Sequence, residues 1–356
     1  MAGIKKIALA LIYVVFMLLF AACSDERETD HGGGDPDKEG ITVLVGNLNS
    51  PWDIEVSQDT FYISERDGSI ASWTEGGSLE RVAVETEKEI TQIGEGGLLG
   101  LKLTPEFEEN QQAYAYHTYE EGQEVYNRVI LIEKKEEQWE EVSVVLEEIP
   151  GAQFHNGGRL ELAPDGSLFV TTGDALNQSL AQNLESLAGK ILRMNPDGSV
   201  PEDNPYKDSY VFSYGHRNPQ GLAWTENGKL YASEHGPDNK DEINILQPGR
   251  NYGWPLIVGD EEGEDMITPL YQTGNDTWAP SGIAVFRKKL YIAALRGTAV
   301  RTLSLEGDNP EVVTDQFGRV RDVEVENDSL YFITNNTDGR GMPDEEDDRL
   351  VRYSPN

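Results

Sequence analysis

From Ile41 onward the chain consists of short apolar runs separated by turn sequences. Five runs share a polar or turn step followed by aromatic and β-branched residues, at 59–64, 167–172, 229–233, 289–294 and 329–334. Such runs, bounded by turn residues, are typical of β-strands joined by tight turns. No long stretch carries a helical period, and residues 181–187 predict at most one short helix. The pattern therefore predicts an all-β fold.

The strand–turn–strand motif recurs along the chain. Six units begin near Trp52, Leu98, Gly158, Gly221, Gly282 and Asp322. Repeats of roughly 40 to 60 residues fit four-stranded antiparallel blades, so the sequence predicts a six-bladed β-propeller. A large two-sheet sandwich is the alternative, but it would not explain the recurring motif. In a propeller, loops next to the inner strands meet at one mouth of the central channel, where we expect the functional residues.

The first forty residues resemble a targeting segment. Lys5 and Lys6 precede an apolar run over 7–22, which is typical of a secretory signal spanning 1–22. Cys23 follows where bacterial lipoprotein signals place their acylated cysteine, so we expect lipidation there. A plain signal peptide and an uncleaved anchor helix are the alternatives. Residues 23–40 are polar and Gly-rich, which predicts a flexible tether. Residues 41–356 would then form a propeller outside the cytoplasm, anchored to the cell membrane and facing outward.

Charge and cysteine content narrow the function classes. The chain has 29 Lys and Arg against 64 Asp and Glu, for a formal net charge of −35. Such an acidic surface argues against nucleic acid or an anionic membrane face as the main partner, leaving the lipid anchor as the expected membrane contact. A single cysteine excludes an internal disulfide, a thiolate zinc cluster and an iron–sulfur site.

Two predicted loops before inner strands concentrate polar side chains. In the first, His155 precedes a glycine pair that lets the backbone approach a ligand closely. Its imidazole could act as a general base near neutral pH, or could only hydrogen-bond a neighbouring loop. In the second, His216, Arg217 and Asn218 stand together. Arg217 facing the channel would stabilise a developing oxyanion, whereas His216 is the candidate for tying blades together.

An acidic loop over residues 234–244 contains Gly236 and Pro237. Hard cations bind carboxylates and carbonyls on loops that bend sharply, so this loop fits Ca²⁺ better than a transition metal. Acid-rich loops are nevertheless common in a protein of this charge, and a site without metal is the alternative.

Three arginines stand near the last two predicted blade entries in a chain with few basic residues: Arg296, Arg319 and Arg321. Strand alternation places Arg319 and Arg321 on one face, with Val320 and Asp322 on the other. Guanidinium groups suit carboxylates, so three of them at one mouth indicate an anionic ligand. The alternative is salt bridging between blades to the abundant acids.

Taken together, these segments resemble the soluble quinoprotein glucose and aldose sugar dehydrogenases, the glucose/sorbosone dehydrogenase family. The similarity extends from about Pro51 to Tyr353 and rests on motifs at 97–101, 155–160, 187–193, 215–223, 242–244 with 251–255, and 319–323. The resemblance implies a six-bladed propeller that binds the tricarboxylated o-quinone pyrroloquinoline quinone (PQQ) and Ca²⁺. It also implies oxidation of an aldose sugar at C1 to the lactone, with electrons passed to an external acceptor such as a quinone, a cytochrome or a dye.

The resemblance further implies roles for single residues. His155 corresponds to the catalytic base and Arg217 to the arginine over the quinone oxygen, beside Asn218. The remaining assignments are Gly236 and Pro237 for the carbonyls of the catalytic Ca²⁺, Glu242 and Tyr252 for a second, structural Ca²⁺, and Arg319 and Arg321 for the carboxylates of PQQ.

Two positions depart from the family pattern. Glu95 stands where glutamine is common and would bring a negative charge toward the cofactor, and Arg296 takes the cofactor-binding role of a lysine, offset by one position. Two other functions are compatible with the sequence. A Ca²⁺-dependent lactonase-type hydrolase would leave the three arginines without a role, and a non-catalytic surface-binding propeller would not require His155.

Overall fold

A computed structural model of the protein describes residues 40–355, which form twenty-four β-strands and two four-residue helices. The predicted signal segment 1–22, Cys23 and all of the predicted tether except Gly40 lie outside the described residues. Within 40–355, no helix is long and apolar enough to cross a membrane.

The elements follow one another in chain order. The first nine strands are β1 (Ile41–Val45), β2 (Pro51–Ser57), β3 (Thr60–Glu65), β4 (Ser69–Thr74), β5 (Glu80–Glu85), β6 (Leu98–Leu103), β7 (Gln112–Glu121), β8 (Glu124–Lys134) and β9 (Trp139–Pro150). The next eight are β10 (Leu160–Leu162), β11 (Leu168–Thr172), β12 (Lys190–Met194), β13 (Val211–Tyr214), β14 (Pro219–Trp224), β15 (Leu230–Glu234), β16 (Glu242–Leu246) and β17 (Tyr271–Gln272). The last seven are β18 (Pro280–Phe286), β19 (Lys289–Ala294), β20 (Ala299–Ser304), β21 (Glu311–Thr314), β22 (Val320–Glu326), β23 (Ser329–Thr334) and β24 (Leu350–Tyr353). The helices are α1 (Phe107–Asn110) and α2 (Ser179–Gln182).

The short helix expected over 181–187 is α2, and it ends earlier than predicted. The backbone at Asn183 is extended, with φ −84° and ψ 110°, so the helical turn cannot continue.

The strands form antiparallel meanders of four. Three four-stranded sheets contain consecutive strands, β10–β13, β14–β17 and β18–β21, and a fourth joins β22–β24 to β1. The N-terminal strand β1 pairs with the C-terminal strand β24, from Ile41 opposite Tyr353 to Val45 opposite Leu350. The fifth sheet has eight strands, because the meanders β2–β5 and β6–β9 are joined by a parallel pairing of β5 with β9 over two residue pairs.

The first strands of the six meanders contact one another in a closed ring, in the order β2, β6, β10, β14, β18, β22 and back to β2. They begin within two residues of the six predicted unit starts. The apolar core lies between neighbouring meanders, since each hydrophobic cluster contains residues from more than one of them. Phe61 and Ile63, for example, pack against Tyr331 and Ile333. This arrangement is that of a β-propeller.

Five of the six inner strands carry a β-bulge near their first residues. A bulge inserts one residue and changes the direction of its side chain. Arg321 is the inserted residue of β22, and its guanidinium contacts inserted residues of three other strands, Trp52, Gln220 and Ser281. The simple alternation that would place Arg321 and Asp322 on opposite faces of β22 is therefore wrong at this bulge. Like Arg321, Asp322 reaches another inner strand, where it accepts a hydrogen bond from the Ile54 N–H at 3.0 Å.

Candidate functional site

A cavity of about 200 Å³ opens where the inner strands begin. Nine of the predicted site residues line it: Glu95, His155, Arg217, Asn218, Gly236, Pro237, Arg296, Arg319 and Arg321. The predicted residues Glu242 and Tyr252 line an adjacent pocket, which shares four residues with the first: Arg217, His235, Gly236 and Pro237. The structure thus brings together residues from segments far apart in the chain.

His155, between β9 and β10, is held by a buried carboxylate. Its Nδ1 lies 2.8 Å from Asp174 Oδ1. Because a carboxylate accepts, Nδ1 carries the proton and Nε2 is left to act as a base. Asp174 also accepts hydrogen bonds from the Leu176 N–H at 2.9 Å and from the Trp254 indole N–H at 2.8 Å. These contacts fix both the orientation and the tautomer of the imidazole.

Arg217 and Asn218, between β13 and β14, present donors to the cavity. The Arg217 guanidinium lies over the Trp254 ring, 5.5 Å from its centroid, and donates to the His235 carbonyl at 3.3 Å. Burial lowers the pKa of Arg217. The buried Asn218 accepts a hydrogen bond from the Gly157 N–H at 3.1 Å, and its Nδ2 has no partner within residues 40–355.

Arg319 and Arg321 differ in their partners. Arg319 donates to Asp338 Oδ2 at 2.7 Å, a salt bridge within the meander of β22 and β23 and not between two blades. Arg321 instead donates to neutral oxygens, Gln220 Oε1 at 2.9 Å and Asn335 Oδ1 at 3.3 Å. Its Nε has no partner in the described part of the chain. Burial lowers the pKa of Arg321 to about 9, although the charge of Asp338 acts in the opposite direction.

The two departures from the family pattern both reach the cavity. Arg296 follows β19, lies exposed at the rim, and is anchored through its N–H to the Trp278 carbonyl at 3.0 Å. Glu95 accepts hydrogen bonds from Arg340 Nη1 at 2.6 Å and from the His155 N–H at 3.3 Å. The negative charge that Glu95 brings to the cavity therefore has a cationic partner.

The loop of Gly236 and Pro237 is folded tightly. Its Gly236 N–H donates to Asp241 Oδ1 at 2.9 Å. A Cβ atom at Gly236 would collide with the carbonyl oxygens of Asn239 and Lys240. Only glycine fits such a turn, which brings several carbonyl groups close together beside the cavity.

Glu242 and Tyr252 lie behind this loop. Glu242 accepts a hydrogen bond from the Gly259 N–H at 3.0 Å, and burial, reinforced by the charge of Glu234, raises its pKa to about 8. The Tyr252 hydroxyl donates to the Ile245 carbonyl at 2.6 Å and is committed to the protein. Across residues 40–355, no three His, Cys, Asp or Glu side chains are grouped to hold a metal ion.

His216 has the structural role that was predicted for it. The buried imidazole lies 2.8 Å from Glu234 Oε2 and 2.9 Å from Ser213 Oγ. Ser213 belongs to β13 and Glu234 to β15 of the next sheet, so His216 ties two neighbouring meanders together.

Four residues of the site were not assigned roles from the sequence. Gln220 and His235 stand inside recognised motifs, so their positions could have been read from the sequence. Asp174 lies two residues beyond the end of β11, where residues near the mouth are expected. Arg340 carries no local signal, since its partner Glu95 lies 245 residues away in the chain.

Comparisons with known proteins identify the relatives of this chain. The sequence profile of the family Glucose / Sorbosone dehydrogenase matches residues 48–345. Aldose sugar dehydrogenase YliI of Escherichia coli (strain K12) is 30% identical over 353 residues, which cover 88% of this chain and 92% of that protein. Quinoprotein glucose dehydrogenase B of Acinetobacter calcoaceticus is 34% identical over 256 residues, 62% of this chain and 54% of that protein.

A solved structure shows the same fold. The PQQ-bound form of aldose sugar dehydrogenase from Streptomyces coelicolor superposes with a TM-score of 0.83 at 36% identity, covering 88% of this chain and 97% of that one. The profile match spans most of the chain, and the relatives share both its sequence and its architecture. The chain therefore belongs to the glucose/sorbosone dehydrogenase family.

Proposed function

We propose that the protein is a PQQ- and Ca²⁺-dependent dehydrogenase that oxidises aldose sugars at C1 to the lactone and passes the electrons to an external acceptor. The observation that carries this proposal is the environment of Arg321. In a chain of net charge −35, the cavity is lined by five guanidinium groups against three carboxylates, and the most buried guanidinium faces neutral oxygens. A buried cation without a counter-charge is costly unless an anionic ligand binds to it.

The donors of the cavity fit PQQ. Arg296, Arg319 and Arg321 suit its carboxylates, because guanidinium groups bind carboxylates through two parallel hydrogen bonds. Arg321 Nε and Asn218 Nδ2 are buried donors without partners among residues 40–355, and the carboxylate and carbonyl oxygens of PQQ are acceptors. The donors of these four residues would hold the cofactor in the mouth, with Glu95 and its partner Arg340 beside it.

Ca²⁺ fits the carbonyl-rich turn beside the same cavity. The carbonyls of Gly236 and Pro237 would hold the catalytic ion, since Ca²⁺ prefers oxygen ligands from bent loops. Glu242 would contribute to a second Ca²⁺ site. Its carboxylate is buried near Glu234, and a bound cation would stabilise its ionised form. Tyr252 would contribute its backbone carbonyl there, as its hydroxyl is committed to Ile245.

The residues of the chain have distinct tasks in this reaction. His155 Nε2 accepts the proton of the anomeric hydroxyl while Nδ1–H stays bonded to Asp174, which stabilises the imidazolium that forms. The Arg217 guanidinium, held against Trp254, presents positive charge where the negative charge develops. PQQ, when bound, would supply the two-electron acceptor for the oxidation at C1, and Ca²⁺ would act as a Lewis acid.

The number of blades and the cellular location of the enzyme are also inferred. We infer six blades, because the two halves of the eight-stranded sheet share only two residue pairs while β2 and β6 occupy separate places in the inner ring. We also infer an extracytoplasmic enzyme anchored through a lipid on Cys23, on the basis of the sequence of residues 1–23. Metabolic labelling with palmitate tests the anchor, and a Cys23→Ser variant that still labels would contradict it.

The catalytic proposal is tested by titrating the purified protein with PQQ in a calorimeter, with Ca²⁺ or with a chelator, and by following dye reduction with a panel of aldoses. We expect PQQ to bind at micromolar concentration in the presence of Ca²⁺, and dye reduction to require both. Absence of PQQ binding would reject the proposal. Lactone hydrolysis with Ca²⁺ alone would favour the hydrolase, and absence of both activities would favour the binding propeller.

A further inference from the structure

Glu95 is an ionised carboxylate in a cavity that must accept a tricarboxylated cofactor. Its side chain is 19% exposed and faces the cavity shared with Arg319 and Arg321. Burial alone would raise the pKa of Glu95, but the hydrogen bond from Arg340, with His235 and the charge of Arg340, lowers it to about 2. A full negative charge therefore remains beside the cofactor position, and Arg340 is the cation in contact with it.

Arg340 is placed by two contacts. Its Nη1 lies 2.6 Å from Glu95 Oε1, and its guanidinium lies over the Phe154 ring, 5.3 Å from the centroid. Phe154 directly precedes His155, so Arg340 rests on the loop that carries the proposed base. Arg340, in the loop after β23, thus contacts both the loop before β6 and the loop between β9 and β10.

Arg340 and Glu95 also connect the loop of Arg319, a proposed cofactor-binding residue, to the loop of His155, the proposed base. The Arg340 N–H donates to Asp338 Oδ1 at 2.9 Å, and Asp338 Oδ2 accepts from Arg319 Nη2 at 2.7 Å. At the other end, Glu95 Oε2 accepts from the N–H of His155. His155 has φ of 62°, a left-handed backbone that a non-glycine residue adopts only when its surroundings hold it.

We propose that Arg340 is a positioning residue of the cofactor cavity: it offsets the charge of Glu95 and connects the loop of Arg319 to the loop of His155. The inference rests on the proposed function. Without Arg340, the carboxylate of Glu95 would repel the carboxylates of PQQ, and one tether of the His155 loop would be lost. The glutamate in place of the family's glutamine is thus compatible with cofactor binding because this chain also supplies Arg340.

A double-mutant cycle tests the proposal, with PQQ affinity measured by calorimetry for the wild type, Arg340→Met, Glu95→Gln and the double variant. Arg340→Met is expected to weaken binding by about tenfold, since an uncompensated charge acts across a partly buried site. Glu95→Gln keeps an acceptor for the His155 N–H, so the double variant should return to within about threefold of the wild type, a non-additivity expected of contacting residues. The loss of PQQ affinity caused by Arg340→Met should be smaller at high salt, because salt screens the repulsion between Glu95 and the cofactor.

Arg287 provides a matched control, because it is also exposed and lies over a phenylalanine ring, 5.1 Å from the centroid of Phe286, away from the cavity. Arg287→Met should leave PQQ affinity unchanged. An Arg340→Met effect no larger than that of Arg287→Met, or additive effects in the cycle, would overturn the proposal.

Unfolding midpoints in urea give a second readout that needs no cofactor. The shift caused by Arg340→Met should disappear in the Glu95→Gln background, and a shift of equal size in both backgrounds would show that the pair does not form. If the wild type binds no PQQ, the proposed function fails and the cofactor role of Arg340 with it, whatever the urea cycle shows. If the wild type binds PQQ and the cycle is additive, only the inference about Arg340 fails.

Discussion

Arg159 and Arg321 are two buried arginines near the indole ring of Trp52, with guanidinium carbons 4.4 Å and 5.8 Å from its centroid. Arg159 pairs with Asp53 and, at 3.0 Å, with Asp322. Burial would lower the pKa of Arg159, but these two carboxylates raise it above the usual value. Arg321 donates to neutral oxygens, and burial lowers its pKa to about 9.

The comparison separates two uses of a buried charge in one channel. A guanidinium paired with carboxylates of neighbouring inner strands holds those strands together, and removing it would leave the carboxylates uncompensated. A guanidinium that faces amide oxygens keeps binding capacity for an anion. Burial and residue type are the same for both, so only the partners distinguish the structural arginine from the one proposed to bind a ligand.

The contrast extends further along the inner strands. Two residues further along the inner strands than Asp53 and Asp322, a second set of charges surrounds Lys102. Its ammonium group contacts Glu55 at 2.9 Å and Glu161 at 3.2 Å, and Glu324 faces it. There carboxylates outnumber the cation, and burial raises the pKa of Glu55 to about 7 and that of Glu324 to about 8. The mouth is thus rich in arginine while the deeper layer is rich in acid, which favours the binding of an anion at the mouth only.

The largest effect is expected for His155, the residue proposed as the catalytic base at the mouth. His155→Ala should lower turnover by roughly 10²–10⁴, the usual contribution of a general base. The urea midpoint should fall only modestly, because Asp174 loses one hydrogen bond but keeps those from the Leu176 N–H and the Trp254 indole N–H. Dye-reduction kinetics and calorimetry check this, and full activity in the variant would remove the assignment of His155 as the base.

Arg159→Met should destabilise the protein by about 3–5 kcal/mol, because two buried carboxylates lose their partner. Urea unfolding measures the change in the free energy of unfolding. Arg321→Met, with the same change in size and charge near the same indole, is the matched control and should cost far less in the absence of cofactor. Equal destabilisation by the two variants would break the distinction between them.

Arg321→Met should instead weaken PQQ binding by about 10- to 100-fold, the loss expected for a hydrogen bond to a charged group. Calorimetry with Ca²⁺ present measures this affinity. Unchanged affinity in this variant would mean that Arg321 does not contact the cofactor, and the mouth would then lack its main anion-binding group.

The last prediction concerns how stability depends on pH. Glutamate titrates near pH 4.5 in the unfolded chain and, at Glu324, near pH 8 in the folded protein. Between these values the folded state holds a proton that the unfolded state has released, so this group makes stability fall as pH rises from 4.5 to 8. Glu324→Gln should flatten that decline in urea unfolding at several pH values, whereas Glu326→Gln on the same strand should leave it unchanged. If stability falls equally steeply with pH in the wild type and both variants, the raised pKa of Glu324 is contradicted.

Much of the site was predictable because its residues stand in short local motifs. His155, Arg217 and Asn218 precede inner strands, and the loops before inner strands meet at the cavity. Arg319 and Arg321 were correctly placed at one cavity, although for an incomplete reason. The predicted alternation ignored the bulge at Arg321, which depends on how β22 pairs with β23 and cannot be read from β22 alone.

The amino-acid sequence by itself determined the strand repeat, the excess of acid and the few arginines and histidines available for chemistry, because these depend on residue type and local spacing. Only the tertiary structure decided which charges are partnered. Arg159 meets Asp53 across 106 residues and Glu95 meets Arg340 across 245, as the inner strands close into a ring. Local patterns cannot fix such contacts, since the energy of a buried charge is set by the groups that the whole fold places around it.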